Sequence, residues 1–135
     1  MLATLSDMDS NPHHVTKGKF RFQGLTIWQE AIALTSAFFK IAEALEKRKH
    51  YRFADQLRGV ALSIPNNIAE STGASMKGEQ LQLMRYARRE CFEAANMLVI
   101  LDRDGLVDQA LTSQLFSRLD LLSRSIHAYM RAIAK

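Results

Sequence analysis

The chain has 135 residues, 47% of them hydrophobic and 24% charged, with 18 Lys and Arg against 14 Asp and Glu for a net charge of +4. That balance excludes a disordered chain, no stretch approaches the ~18 consecutive apolar residues of a membrane span, and a single Cys excludes an internal disulfide framework. Two Pro and six Gly in this length point to long helices with few turns.

Residues 1–19 mix Asp, Ser, Asn, Pro, His and Lys with no sustained period, so a short disordered N-terminal tail is expected ahead of one domain over residues 20–135. No charged leader precedes an apolar stretch, which makes the cytoplasm the expected compartment. The pair His13-His14 reads as a solvated dipeptide.

The first predicted helix runs from about Ile27 to Arg48. Thr26 and Gln29 have the spacing of a capping box, in which each side chain satisfies a backbone donor of the other. From Leu25 to Leu45 its apolar residues cover an arc of about 200°, against the ~100° stripe of an ordinary surface helix. The basic segment from Lys47 to Arg52 reads as a turn. A second helix follows from Tyr51 to Thr72, with Phe53, Leu57, Val60, Ala61, Ile64 and Ile68 as its core stripe. Pro65 lies inside it and removes one backbone bond, so a kink is expected rather than a break, because the apolar period continues. Gly73 is the expected left-handed stop.

Ser75 is the candidate cap of a third helix, Met76 to Arg103, whose apolar positions again span more than half the wheel. Gly105 ends it, and Asp108 caps a fourth helix from Gln109 to Ala134 with a single-sided stripe from Leu111 to Ile133. Four long helices with short connections predict an all-α, antiparallel up-down four-helix bundle. The wide arcs on the first and third helices predict that bundles pack against one another, the competing possibility being a core that absorbs those arcs internally.

No residue set supports catalysis, and no enzyme activity, cofactor, metal or small-molecule substrate is expected. No Glu has a His three residues later, as an inward di-iron site would need. His127 plots on the surface of the fourth helix, and Cys91 falls in an apolar arc as a small buried hydrophobe. The run from Gly73 to Glu79 has the glycine spacing of a phosphate loop but places Glu79 and Gln80 where that loop needs Lys and then Ser or Thr.

In the second helix Gln56, Ser63, Asn67 and Glu70 lie within about 60° of one another at the margin of the apolar stripe. Polar groups there need partners, and Asn67 can approach backbone groups freed by Pro65. This network either repairs the proline site or forms a ligand site. Leu62 and Ala69 point the opposite way, as candidate contacts between copies of the chain.

The landmarks Phe22, Leu25, Ile27-Trp28-Gln29 and Ala31, then Gln56-Leu57-Arg58, Ala61 and Ser63-Ile64-Pro65 followed by Asn67-Ile68-Ala69-Glu70, carry a resemblance, joined by Ala87, Phe92 and Glu93. The chain resembles the four-helix-bundle family named for proteins encoded in intervening sequences of large-subunit ribosomal RNA genes. The resemblance covers about residues 20–135. It implies a left-handed up-down bundle, ring-like homo-oligomers with a pentamer favoured, no known catalysis, and a suspected role with RNA or DNA. The sequence departs from the family pattern at Ser71, where Gly is usual, at Ala74, where a basic residue is usual, and at Arg89-Glu90, where Gly-Ser is usual.

Two functional expectations follow. One is a self-assembling bundle that binds nucleic acid through Arg48, Lys49, Arg52, Arg58, Arg85 and Arg89, with Tyr51 as the exposed aromatic. Arg85 and Arg89 stand one turn apart, a repulsion of ~0.2–0.5 kcal/mol that a bound anion would relieve unless Glu93 pairs Arg89. The alternative is a protein-interaction scaffold with no nucleic-acid role.

Overall fold

In the computed structural model, Thr4 and residues 20–135 are described; the expected tail otherwise lies outside them. A 3-10 turn, Arg21–Gly24, leads into α1 (Thr26–Lys47), α2 (Tyr51–Gly73), α3 (Lys77–Arg103) and α4 (Gln109–Ala134). Each helix packs on the next in the chain, and α4 returns to α1 over a smaller area. Four helices with short connections and sequential neighbours form the expected antiparallel up-down bundle. The α1–α2 turn therefore lies at the same end as the C-terminus of α3, called here the upper end.

The ends of the helices are decided by different groups from those the sequence suggests, except around Gly105. There the backbone is left-handed, φ 65°, the Leu106 N–H donates to Leu101 O at 2.9 Å, and Asp108 accepts from the Leu111 N–H at 3.3 Å. The α1–α2 turn uses the same closure with a lysine. Lys49 has φ 69°, and the His50 N–H donates to Leu45 O at 2.9 Å. Thr26 does not cap α1: Leu25 is the N-cap residue, and Gln29 Nε2 instead donates to Gln23 O in the preceding 3-10 turn at 2.9 Å. Ser75 does not cap α3 either, since Met76 takes the N-cap position without a side-chain bond. Gly73 is not left-handed; it is the last residue of α2 and Ala74 follows in extended conformation. The α2–α3 connection is stitched by the Ser71 hydroxyl, which donates to Gln80 O at 2.9 Å, and by Gln80 Nε2, which donates to Ala74 O at 2.8 Å. The hydroxyl that Ser71 adds is thus buried and bonded at no loss of a partner.

The core runs through all four helices, with Phe38, Ile41, Leu57, Ile64, Met84, Leu98, Leu111 and Leu115 fully buried. Most of the breadth of α1 is absorbed here, Phe39 excepted. Ile27, Leu34, Phe38, Ile41, Ala42 and Leu45 are buried against its neighbours, because a helix flanked on both sides in a bundle hides far more than one narrow stripe. The surplus apolar surface expected on α3 is present, with Phe92 and Val99 exposed, and α4 adds Phe116 and Leu121, while Phe39 on α1 and Leu62 on α2 are also exposed. The exposed Phe116 and Leu121 lie outside the narrow stripe read for α4.

Helix α2 runs through Pro65 without interruption, and the ring is buried. A proline at position 65 leaves the carbonyl of Ala61, one turn back, without its intrahelical donor. The replacement comes from another helix: the Thr35 hydroxyl of α1 lies 3.0 Å from Ala61 O and 2.9 Å from Ala31 O. Asn67 does something different from the expected repair. Its Nδ2 donates to Ser63 O at 2.8 Å and to Ser63 Oγ at 3.0 Å, one turn earlier in the helix. The side chains of Gln56 and Glu70 are exposed and make no hydrogen bond among the described residues. The four-membered polar network therefore reduces to the Ser63–Asn67 pair. Trp28 is half-buried beside the Phe22 ring, 5.0 Å between centroids.

Candidate nucleic-acid interface

The six basic residues singled out by sequence fall into three separate places. Arg48, Lys49 and Arg52 are exposed at the upper end with Tyr51. Arg58 is committed internally. Its guanidinium donates to Glu46 of α1 at 2.8 Å and lies 5.8 Å from the centroid of the Phe39 ring, so it latches α1 to α2. Arg85 and Arg89 are exposed on the lower half of α3. At 1.5 Å per residue, Arg89 lies about 21 Å from the upper end of α3. That exceeds the Debye length of ~10 Å at 0.1 M salt, so the upper and lower clusters act as separate fields.

The lower cluster is larger than the sequence suggests. Arg85, Arg88, Arg89 and Phe92 of α3 join Met130 of α4 around a cleft of about 420 Å³. The spacing places Arg88 and Phe92 one turn apart on the flank facing α4. The Arg88 guanidinium lies 5.3 Å from the centroid of the Phe92 ring, a cation–π contact. Its Nε is buried without a hydrogen-bond partner. Arg85 donates to the neutral side chain of Gln82 at 3.0 Å. None of the three arginines makes an ion pair among the described residues. Glu93 does not pair with Arg89. It interacts instead with Glu90, whose carboxyl is raised above its usual range by partial burial, then by the hydrogen bond and charge of Glu93, with Arg89 opposing.

Above this cleft the α3–α4 groove continues between Phe92 and Phe116. Asp120 lines that part and is engaged by Arg124. That pairing holds the Asp120 carboxyl below its ordinary range. His127 is exposed and falls on the α4 flank between Ser123 and Met130. Cys91 lies beneath the groove, and burial pushes its thiol up to about 12, so it is neutral and inert near pH 7. Leu62 is exposed on the outer side of α2, and Ala69 is half-buried.

Sequence reasoning paired Arg85 with Arg89 but passed over Arg88 and Met130. The arginine four residues before an aromatic on a helix, Arg88 before Phe92, was the available signal. Met130 carried none, because its place opposite α3 depends on how α4 is rotated.

Among the described residues no group of three or more His, Cys, Asp or Glu could hold a metal ion. No described helix is long and apolar enough to cross a membrane.

The family model for the 23S rRNA-intervening sequence protein matches residues 23–128, which contain the Pro65 segment and the three arginines of the cleft. The chain belongs to that family. Its fold is similar to that of a Bacteroides thetaiotaomicron protein with unknown function from the S23 ribosomal protein family. The TM-score is 0.75 at 14% identity, over 78% of this chain and 98% of that one. No curated protein matches. At that identity the structural likeness concerns the fold, and family membership rests on the family model.

Proposed function

We propose that this intervening-sequence family member is a non-enzymatic bundle that assembles into a ring-like homo-oligomer in the cytoplasm. It binds nucleic acid through basic surface residues, chiefly Arg85 and Arg89. The observation that carries the reading is the lower cleft: three arginines on one flank of α3, none in an ion pair among the described residues. Cations held together without an ion-pair partner repel one another, and an anionic partner relieves that repulsion. Arg48, Lys49 and Arg52 form a second, separate basic end. Self-assembly is supported by exposed apolar side chains outside the cleft, Leu62 and Leu121 among them. A pentamer of a +4 chain carries about +20, and weak sites repeated in a ring gain avidity.

The test combines two measurements on the purified protein. Light scattering gives the mass, and a single subunit at all concentrations removes the assembly. Binding to labelled RNA and DNA is followed from about 50 to 200 mM salt, where phosphate contacts predict a steep fall in affinity. Arg85→Glu with Arg89→Glu should abolish binding and leave the oligomer intact. Weak binding that does not respond to salt or to this charge reversal removes the nucleic-acid role.

The exposed Leu121, 64% accessible on α4, favours a second reading, a scaffold whose apolar face serves another protein. Co-purification of one defined protein, with no nucleic acid and no effect of the charge reversal, selects it.

A further inference from the structure

We propose that the lower α3–α4 groove is a site for single-stranded nucleic acid, with a phosphate between Arg85 and Arg89 and an unpaired base stacked on the Phe92 ring. The inference rests on the nucleic-acid reading above and narrows it to one strand form.

Phe92 is 58% exposed although it stands in a concave groove among arginines. Arg88 engages the ring, and the remaining ring surface faces solvent. A ring in this position offers a base the stacking surface that single-strand binders use, beside cations that track the backbone. A duplex cannot use it, because its base faces are already stacked on one another. The cleft, about 420 Å³, falls in the ~300–1,000 Å³ range of small-ligand pockets, the scale of a nucleotide rather than of a duplex surface. The half-buried Arg88 lines the cleft and adds its charge there while its guanidinium sits against the Phe92 ring.

The groove also has a direction. Phe116, 45% exposed, shares the next section with Phe92 and provides a second aromatic surface. Asp120 is in that section, but Arg124 engages its carboxylate. Farther up, Asp102 lines the groove beside Val99 and Phe116, where a phosphate would be repelled. A strand is therefore held in the lower half, phosphate toward the arginines and bases toward Phe116.

The experiment is fluorescence anisotropy with labelled oligo(U), oligo(dT) and a duplex of equal length at about 50 mM salt. Both single strands are expected to bind more tightly than the duplex, and the tighter of the two names the strand chemistry. Phe92→Leu keeps an apolar side chain at an exposed site, so folding, checked by circular dichroism, is retained. It should weaken single-strand binding about tenfold, leave duplex binding unchanged, and be rescued by Phe92→Trp. Binding that is equal for duplex and single strand, or unaffected by Phe92→Leu, overturns the proposal. If Arg85→Glu with Arg89→Glu still weakens binding in that case, the broader nucleic-acid reading survives. Absence of binding by the unaltered protein to all three probes overturns both.

Discussion

Replacing Thr35 with valine deletes one hydroxyl from a buried site and keeps the shape of the side chain. In the native bundle that hydroxyl lies 3.0 Å from Ala61 O, the carbonyl that Pro65 leaves without an intrahelical donor. Ala31 O, its other neighbour, retains the backbone N–H of Thr35 by regular α geometry, so it is not orphaned by the change. The valine variant therefore leaves one buried carbonyl unsatisfied, at a cost of ~1–3 kcal/mol. Over residues 20–135 an unfolding entropy of ~2.1 cal/mol/K per residue sums to ~0.24 kcal/mol/K, so ~2 kcal/mol lowers Tm by ~8 °C. The assay is urea unfolding followed by circular dichroism at fixed protein concentration, since assembly would shift apparent stability. The decisive comparison is a double-mutant cycle with Pro65→Ala, which returns an N–H to position 65 that can reach Ala61 O. In that background Thr35→Val should cost less than ~0.5 kcal/mol, a coupling of ~1.5 kcal/mol between residues on different helices. An equal cost in both backgrounds, or a negligible cost in the native one, refutes the pairing of Thr35 with the proline site.

Three further outcomes follow from single positions. Lys49 holds a left-handed conformation, φ 69°, so Lys49→Gly should stabilise the bundle by about 1 kcal/mol, read as a higher urea midpoint. Glu90 has its folded carboxyl pKa raised above the unfolded value. Stability from this group is therefore lost as pH rises from the ordinary carboxylate range through the raised value. Glu90→Gln should consequently raise Tm at pH 7 and leave it nearly unchanged at pH 3, where both states are protonated; an equal gain at both pH values contradicts this. Cys91, buried and with its thiol pushed up to about 12, should react with a thiol reagent at pH 8 only at the rate of opening, and fully in denaturant.

Much of the fold was legible because helix formation leaves a local record. The apolar period placed α4 at Gln109–Ala134 and the others within a residue or so of their ends. Gly105 and Asp108 were readable as a stop and a cap because each acts on backbone groups a few residues away. Thr26, Ser75 and Gly73 failed by the same standard. Those ends are held instead by the Gln29 side chain on Gln23 O, the Ser71 hydroxyl on Gln80 O and the Gln80 side chain on Ala74 O, bonds that span six to nine residues and leave no cap signature.

The candidate site was legible only in outline. Arg85 and Arg89 could be paired by spacing, but nothing in the chain order distinguished them from Arg58, which the structure turns inward to Glu46 and Phe39. The breadth of α1 was a true property of the sequence, yet whether it faced solvent depended on having neighbours on both sides.

By itself the sequence determined four helices, their order and the residues able to line a core, since each follows from a 3.6-residue period within one segment. Only the tertiary structure decided that Thr35 serves the carbonyl freed by Pro65, that Arg58 is internally held, and that Met130 closes a cleft with three arginines. Those outcomes depend on the rotation and axial register of one helix against another. Both are set by the packing of the whole core, which no single helix encodes.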